Sequence, residues 1–200
     1  MAGQSERKVT KLADGVFEIQ HKTFSGNTIV IIGDRQVFVV DSCYLPSEAR
    51  EDIAQIRQWT DRPVTFLLNT HFHNDHNLGN RTYMDAFPTL TIIARTETKR
   101  DMDLFGAGSA GRDEKDIAGL QQMLAAGKTP DGQTLSEDDK TAVKNAPARR
   151  IPALEEIKPV KLQSATLTFE HGFSIDIGGR EVQVKFLGRG KAADGDSFAA

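Results

Sequence analysis

Three of the five histidines of this 200-residue chain lie within six positions, in the segment His71-Phe72-His73-Asn74-Asp75-His76. Neutral imidazole and carboxylate are the usual protein ligands of zinc and similar divalent ions. Side chains two positions apart in an extended segment point to the same side, so His71 and His73 can face one metal. Asp75 and His76 follow as the chain turns and can face a second point nearby. The spacing suits two metals about 3.5–4 Å apart, as in two-metal hydrolytic sites.

A histidine-rich, solvated loop is the alternative interpretation of this segment, and the position of the cluster argues against it. Residues 64–68 form an apolar run typical of a strand buried on both faces, and the motif follows directly. Ligand sites in α/β sheets favour the loops at the carboxyl ends of strands. We therefore expect a metal site in the loop that leaves this strand.

The elements before the motif are predicted in the order β, β, β, α, β. Apolar residues at helical spacing after Pro46 predict a helix with one face on a core, and Pro63 ends this segment. The residues Gly33-Asp34-Arg35 separate two apolar runs and predict a hairpin. The three strands that precede the helix are expected at residues 16–20, 28–32 and 36–40.

The chain changes character after a short strand expected at residues 91–94. Ile117, Leu120 and Leu124 recur at helical spacing, and Ser136 with the acidic residues behind it resembles the start of another helix. This pattern predicts a helical insertion at about residues 97–159, either a lid over the site or a solvated, functionally silent segment. Further strands are expected at residues 166–169, 173–177 and 181–187, with a turn at Gly178-Gly179 between the last two.

The composition limits compartment and partners. A formal net charge of -3 gives no basic surface for nucleic acid. The chain has no run near the roughly 20 apolar residues that a membrane helix requires. Residues 1–10 are polar and do not resemble a secretory signal, which favours a cytoplasmic protein. A periplasmic or secreted protein is the alternative, if a signal peptide was removed.

The remaining candidate ligands lie outside the motif. Cys43 is the only cysteine, so the chain forms no internal disulfide. We expect Cys43 to be a small, partly buried residue, with a nucleophile or metal ligand as the alternative. His21 ends the first predicted strand, and His171 falls in a predicted hairpin turn before Gly172. Neither of these two histidines is expected to bind the metal of the motif.

The residues from Leu68 to Asn80, Leu-Asn-Thr-His-Phe-His-Asn-Asp-His-Asn-Leu-Gly-Asn, resemble the His-x-His-x-Asp-His signature of the metallo-β-lactamase superfamily. The resemblance implies an α/β fold, the αββα sandwich of that family, incomplete here in its C-terminal half. It also implies one domain over residues 1–200, a truncated or short form that carries the helical insertion.

The resemblance further implies a ligand set. His71 and His73 would bind the first metal, Asp75 and His76 the second, and Asp196 would bridge the two. The cofactor would be one or two Zn²⁺ ions, with other divalent metals as alternatives. Asp41, at the end of a predicted strand, would lie near the site and support a ligand histidine.

The function implied is metal-dependent hydrolysis of a small molecule. Metal-bound hydroxide would attack an ester, thioester, lactam or phosphoester, and Asp75 would orient this nucleophile or pass a proton to the leaving group. The alternative is a non-catalytic, metal-binding remnant or binding module of the same fold. A nucleic acid-processing enzyme of this family is disfavoured by the acidic charge balance.

Two departures from the family pattern affect these expectations. The family usually has a further ligand histidine four residues before the bridging aspartate, where this chain has Ala192, with Lys191 beside it. The chain also stops soon after Asp196, whereas the family has a second half that supplies a final histidine. A sheet cut there would expose strand edges and an apolar face, which predicts a homodimer or poor solubility. We expect weak activity or none from these 200 residues alone.

Overall fold

The computed structural model describes residues 6–22, 26–106, 109–188 and 197–199. The chain forms two compact units, one of Met1–Ala107 with Lys161–Ala200 and the other of Gly108–Val160. The first unit has helices on one face of a seven-stranded sheet and a three-stranded sheet on its other face. This arrangement confirms the predicted α/β class.

The seven-stranded sheet follows the order of the chain. Its first four strands pair antiparallel, and the last three join in parallel. Parallel neighbours need crossover connections, which the helices between them supply. The strands are β1 (Lys8–Ala13), β2 (Val16–Gln20), β3 (Asn27–Ile32), β4 (Val37–Val40), β5 (Val64–Asn69), β6 (Thr91–Arg95) and β7 (Leu167–Phe169).

The central strands are apolar on both faces because each face packs on a different layer. In β4, Val37 and Val39 belong to the core under the helices, whereas Phe38 and Val40 belong to the core between the sheets. The period of two along a strand produces this division. Leu67 and Leu68 of β5 divide in the same way, so the predicted burial of this strand on both faces is confirmed.

Three helices cover the first face: α1 (Pro46–Trp59), α2 (Asn80–Ala86) and α3 (Thr96–Phe105). Helix α1 starts with Pro46, whose fixed φ suits the first turn, and it ends before Pro63. Its apolar face places Ala49, Ile53 and Ile56 in the core, as their spacing predicts. The same helix also buries Asp52, an acidic residue on that inner face.

The second sheet consists of β8 (Gly172–Asp176), β9 (Glu181–Phe186) and β10 (Ser197–Ala199), with β9 in the middle. The predicted β8–β9 hairpin is confirmed, with Gly178 and Gly179 at its turn, both at positive φ. Its Val182 and Val184 pack against the first sheet. Gly33 touches this hairpin so closely that a Cβ would lie 2.2 Å from the Ile177 carbonyl oxygen.

The Gly108–Val160 unit contains two helices, α4 (Ser109–Ala126) and α5 (Glu137–Ile157). They pack antiparallel, with ion pairs from Arg150 to Asp116 and from Lys158 to Glu114. Ser136 accepts a hydrogen bond from the Asp139 amide in the capping arrangement that the sequence predicts. No helix in the described part of the chain is long and apolar enough to cross a membrane.

Two sequence predictions differ from the structure. Strand β1, which begins at Lys8, was not predicted; its side chains are largely exposed, so it lacks the apolar alternation of a half-buried strand. His171 was assigned to a hairpin turn, but it lies between β7 and β8, which belong to different sheets. The chain crosses from one sheet to the other there.

Candidate metal centre

The motif lies at the carboxyl edge of the parallel strands. Strands β4 and β5 run side by side with Val40 opposite Leu68, so the residues that follow them meet at the same edge. The Asp41 amide donates to the Leu68 carbonyl oxygen at 2.8 Å. Residues 70–76, called here the motif loop, leave β5 at this point and end in a short 3-10 turn at Asn74–His76. The predicted position of the motif is confirmed.

The Asp41 carboxylate connects the two ends of the motif loop. It accepts hydrogen bonds from the Thr70 amide at 2.8 Å, the Thr70 hydroxyl at 2.7 Å and His76 Nδ1 at 2.8 Å. Asp41 is buried and has a φ of 58°, in the left-handed region that non-glycine residues seldom adopt. The sequence expectation that Asp41 lies near the motif is therefore confirmed.

These bonds decide which nitrogen of His71 can bind a metal. An ionised carboxylate can only accept hydrogen bonds, so the Thr70 hydroxyl donates its single hydrogen to Asp41. The Thr70 hydroxyl oxygen also lies 3.0 Å from His71 Nδ1, and it must accept a hydrogen bond from that nitrogen. Nδ1 of His71 therefore carries the ring proton, and Nε2 carries the lone pair. Thr70 thus sets the tautomer of His71.

His71 and His73 present two nitrogen atoms to one point. His71 Nε2 and His73 Nδ1 are 3.1 Å apart, and their rings are nearly perpendicular. Two imidazoles on a tetrahedral zinc, with bonds of about 2.0–2.1 Å, hold their nitrogen atoms roughly 3.3 Å apart. The observed separation fits that geometry with little adjustment.

His76 and Asp75 form a second pair of donors. His76 Nε2 lies 3.4 Å from Asp75 Oδ2, while Nδ1 of the same ring faces Asp41. Burial opposes the charge on His76, but the hydrogen bonds and charges of Asp41 and Asp75 outweigh it and raise the pKa of His76 to about 10. Burial likewise opposes the charge on Asp75, and the hydrogen bond from His76 lowers the pKa of Asp75 despite it. Without a metal, His76 is therefore protonated at neutral pH, and its Nε2 hydrogen lies between the ring and Asp75, where a metal ion would bind.

A network of buried asparagines fixes the backbone of the motif loop. The Asn69 amide donates to the His76 carbonyl oxygen at 2.9 Å, and Asn77 donates to the Phe72 carbonyl oxygen at 2.8 Å. Asn80 exchanges hydrogen bonds with Asn69 in both directions. The sequence analysis did not predict this role. The available signal was the presence of three asparagines beside the motif, but asparagine is also common in ordinary loops.

Gly79 brings the start of α2 against the segment after β4. A Cβ at this position would lie 1.9 Å from the Ser42 carbonyl oxygen, so no larger residue fits without movement. Ser42 in turn donates its hydroxyl to Asn80 at 2.7 Å and its amide to the His76 carbonyl oxygen at 2.9 Å. The close approach therefore lets the two loops share hydrogen bonds.

An aromatic wall lies beside the motif histidines. The Phe72 ring is 4.7 Å from the His73 ring and 5.7 Å from the ring of Phe105 on α3. Phe105 and its neighbour Leu104 are both exposed. An apolar surface next to the motif loop can accept an apolar part of a small molecule and exclude water.

The structure brings together four of the five predicted ligands, His71, His73, Asp75 and His76. The fifth, Asp196, lies outside the described residues, as do Lys191 and Ala192. Within the described part of the chain, one set of three ligand-type side chains has donor atoms within 4.8 Å of one another, and it is elsewhere: His21, Cys43 and Asp52. The motif itself supplies two close pairs of donors.

The donor set fits zinc. Imidazole nitrogen and carboxylate oxygen are its common ligands, and each pair has the spacing of neighbouring ligands around one ion. The carboxylate of Asp41 on the far nitrogen of His76 is the usual support for a ligand histidine. With a protein ligand that joins both pairs, the loop could hold two ions.

Similar proteins were found by sequence and by structure. A hydroxyacylglutathione hydrolase of Trichormus variabilis is 34% identical over 84 residues, which cover 40% of this chain and 31% of that protein. A metallo-beta-lactamase from Pontibacter korlensis superposes with a TM-score of 0.58 at 16% identity, over 97% of this chain and 66% of that one. The sec-alkyl sulfatase PisA1 superposes with a TM-score of 0.59 at 14% identity, over 96% of this chain and 29% of that one.

The chain thus spans about a third of its curated relative, and its structural neighbours share its fold. The family profile gives the assignment, because it matches residues 21–176, well over half of the sequence. That match includes the motif loop and all strands from β3 to β8. This chain belongs to the metallo-beta-lactamase superfamily.

Proposed function

We propose that this chain is a metal-dependent hydrolase in which His71, His73, Asp75 and His76 would hold zinc, with Asp196 as a further ligand. The observation that carries the proposal is the orientation of the donors. Thr70 and Asp41 bind Nδ1 of His71 and Nδ1 of His76, so Nε2 of each ring lies toward the other candidate ligands, His73 and Asp75. Asp41 makes these contacts from a left-handed backbone conformation, which is unfavourable for a non-glycine residue. Strained backbone of this kind is typical of functional sites, and a carboxylate that orients a histidine is typical of metal sites.

The residues of the chain divide the chemistry between them. Zinc, when bound, supplies Lewis acidity and a water nucleophile that ionises near neutral pH. His71 and His73 hold one side of the site, and Asp41 keeps the ring of His76 in place on the other. Asp75 is ionised and 37% exposed, so its carboxylate can take a proton from the attacking water and deliver it to the leaving group.

We propose a thioester as the first substrate class to test. The hydroxyacylglutathione hydrolase of Trichormus variabilis is the curated relative at 34% identity. Esters, lactams and phosphoesters are the other classes for which metal-dependent hydrolysis suits the donor set. The aromatic wall of Phe72 and Phe105 favours a substrate with an apolar group beside the scissile bond.

The experiment is a hydrolysis assay on the zinc-loaded chain with one substrate of each class. The proposal expects turnover that chelator abolishes and zinc restores, and that is lost in Asp75→Ala and in the His71→Ala/His73→Ala double variant. His171→Ala is the matched control, because this exposed histidine lies outside the motif and should leave turnover unchanged. Turnover that survives chelator would refute metal-dependent hydrolysis.

A non-catalytic metal-binding module is the second candidate. The observation that favours it is in the sequence, where Lys191 and Ala192 stand in the place of the family's third histidine. A module of this kind would bind zinc through the motif loop and would hydrolyse none of the four substrate classes. Zinc content and turnover, measured on the same sample, separate the two candidates.

Two further properties belong to this proposal. We propose that residues 1–200 work as one metallo-β-lactamase-like domain, with residues 97–159 as its helical insertion. We also propose a homodimer, which light scattering at micromolar concentration tests. A monomer at all concentrations would refute the homodimer.

A further inference from the structure

A second group of ligand-type side chains lies under the helices, away from the motif loop. His21 follows β2, Cys43 follows β4, and Asp52 lies on the inner face of α1. All three are buried, at 2%, 2% and 0% exposure. One donor atom from each lies within 4.8 Å of the others. Three separate elements therefore bring a nitrogen, a sulfur and an oxygen to one buried point.

The carboxylate of Asp52 divides its two oxygens between different partners. Oδ1 accepts a hydrogen bond from Arg7 Nη2 at 3.1 Å, and Oδ2 lies 3.3 Å from His21 Nε2. Ligands around a tetrahedral zinc are spaced at ~3.3–3.8 Å. The histidine and the carboxylate already have this spacing, and the remaining distances of up to 4.8 Å require side-chain movements of roughly 1 Å.

Burial and neighbouring charges set the protonation of His21 and Asp52. Burial, with the charges of Arg7 and His76, lowers the pKa of His21 to about 4, so the imidazole is neutral at pH 7. Burial raises the pKa of Asp52 to about 7 despite the hydrogen bond from Arg7. Neutral imidazole and carboxylate are the forms in which histidine and aspartate bind zinc.

Tyr83 adds an independent observation. Its side chain is fully buried on α2, and among the described residues its hydroxyl has no hydrogen-bond partner. Tyr83 and Cys43 belong to the same buried core cluster, and burial, with the charges of Asp52 and Cys43, raises the pKa of Tyr83. Buried hydroxyls without a partner are uncommon and require an explanation, such as an ion or water.

We propose that His21, Cys43 and Asp52 form a second, buried metal site for a single zinc-like ion, separate from the motif loop. Nitrogen, thiolate sulfur and carboxylate oxygen together select zinc or cobalt over magnesium and calcium, which prefer oxygen alone. The site is closed, so its role is structural. Cys43 lies two residues after Asp41, and an ion there would fix the segment that holds His76.

The experiment uses the sole cysteine as a reporter. Cobalt bound to a thiolate gives a charge-transfer absorption in the near ultraviolet, and the motif loop contains no sulfur ligand. Cobalt added to the metal-free, 200-residue chain should produce this band in wild type and in His71→Ala/His73→Ala. The band should disappear in Cys43→Ser and weaken in Asp52→Asn. Zinc content should fall by about one ion per chain in Cys43→Ser.

The wild-type spectrum alone can refute the proposal, so a variant that fails to fold does not obscure the test. A folded wild-type chain that binds cobalt without the thiolate band shows that His21, Cys43 and Asp52 form a hydrogen-bonded cluster only. Loss of the band in the folded His71→Ala/His73→Ala chain also overturns the proposal, because Cys43 would then belong to the motif's site. The proposed hydrolase activity can fail while this site is confirmed, and the reverse also holds.

Discussion

Asp41 and His76 are separated by 35 positions in the chain, yet Asp41 Oδ2 and His76 Nδ1 are 2.8 Å apart. The contact exists because β4 and β5 are parallel neighbours whose carboxyl ends meet. It joins the segment after one strand to the end of the motif loop that follows the other. The ring of His76 is thereby held with Nε2 toward Asp75.

Asp41→Asn should weaken zinc binding by about 10–100-fold, the usual effect of losing a carboxylate behind a ligand histidine. The amide keeps the size of the side chain but removes its charge, so the ring is held less firmly and is a weaker base. Competition with a chromogenic chelator measures the affinity. Asp85→Asn is the control, because Asp85 is an exposed residue of α2 that pairs with Arg81. Equal affinities of Asp41→Asn and wild type would contradict this role for Asp41.

The stability of the metal-free chain should depend on pH through His76. Its pKa is raised from 6.5 to about 10 on folding, so the folded state holds the proton more tightly than the unfolded state. The stabilisation is fully present below pH 6.5 and is lost as the pH rises through 10. Denaturant unfolding of the chelator-treated chain at pH 6.5 and 9.5 measures the loss. Asp41→Asn should reduce this loss of stability between pH 6.5 and 9.5. If the variant loses as much stability as wild type, His76 is not the source of the pH dependence.

Thr70→Val should lower zinc affinity by roughly tenfold, whereas Thr70→Ser should preserve it. Valine has nearly the shape of threonine but cannot accept the proton of His71 Nδ1, so the tautomer of His71 is no longer fixed. Serine keeps the hydroxyl. The same chelator competition measures both variants. If serine and valine weaken binding equally, the hydroxyl does not set the tautomer.

Gly79→Ala should destabilise the chain by roughly 3 kcal/mol, because its Cβ would collide with backbone that is fixed by hydrogen bonds. Gly119→Ala is a matched control of opposite sign. Gly119 lies inside α4 with no atom within 4 Å of its would-be Cβ, so alanine should stabilise that helix by about 0.5–1 kcal/mol. Chemical denaturation measures both changes. A neutral Gly79→Ala would mean that the loop after β4 moves freely.

Much of the fold was predictable because its signals are local. The apolar runs of β3 to β6 and the Pro46 start of α1 are visible in the sequence and are confirmed. Strand β1 could not be predicted, because an exposed edge strand needs no apolar pattern. The crossing at His171 was missed for a different reason: two neighbouring strands look alike whether they share a sheet or not.

The candidate site was also predictable only in part. The motif loop could be placed from its spacing and from the strand before it. The bonds of Asp41 to Thr70 and His76 define how the donors are oriented, and they depend on the pairing of β4 with β5. The group of His21, Cys43 and Asp52 could not be predicted either, since its members lie far apart in the chain and each alone resembles a core residue.

Zinc content tests the central claim most directly. The 200-residue chain, purified with zinc and dialysed, is analysed by inductively coupled plasma mass spectrometry beside His71→Ala/His73→Ala and His171→Ala. We predict that the double variant holds less zinc than wild type while remaining folded by circular dichroism, and that His171→Ala matches wild type. Equal zinc content in wild type and the folded double variant would contradict a metal site in the motif loop.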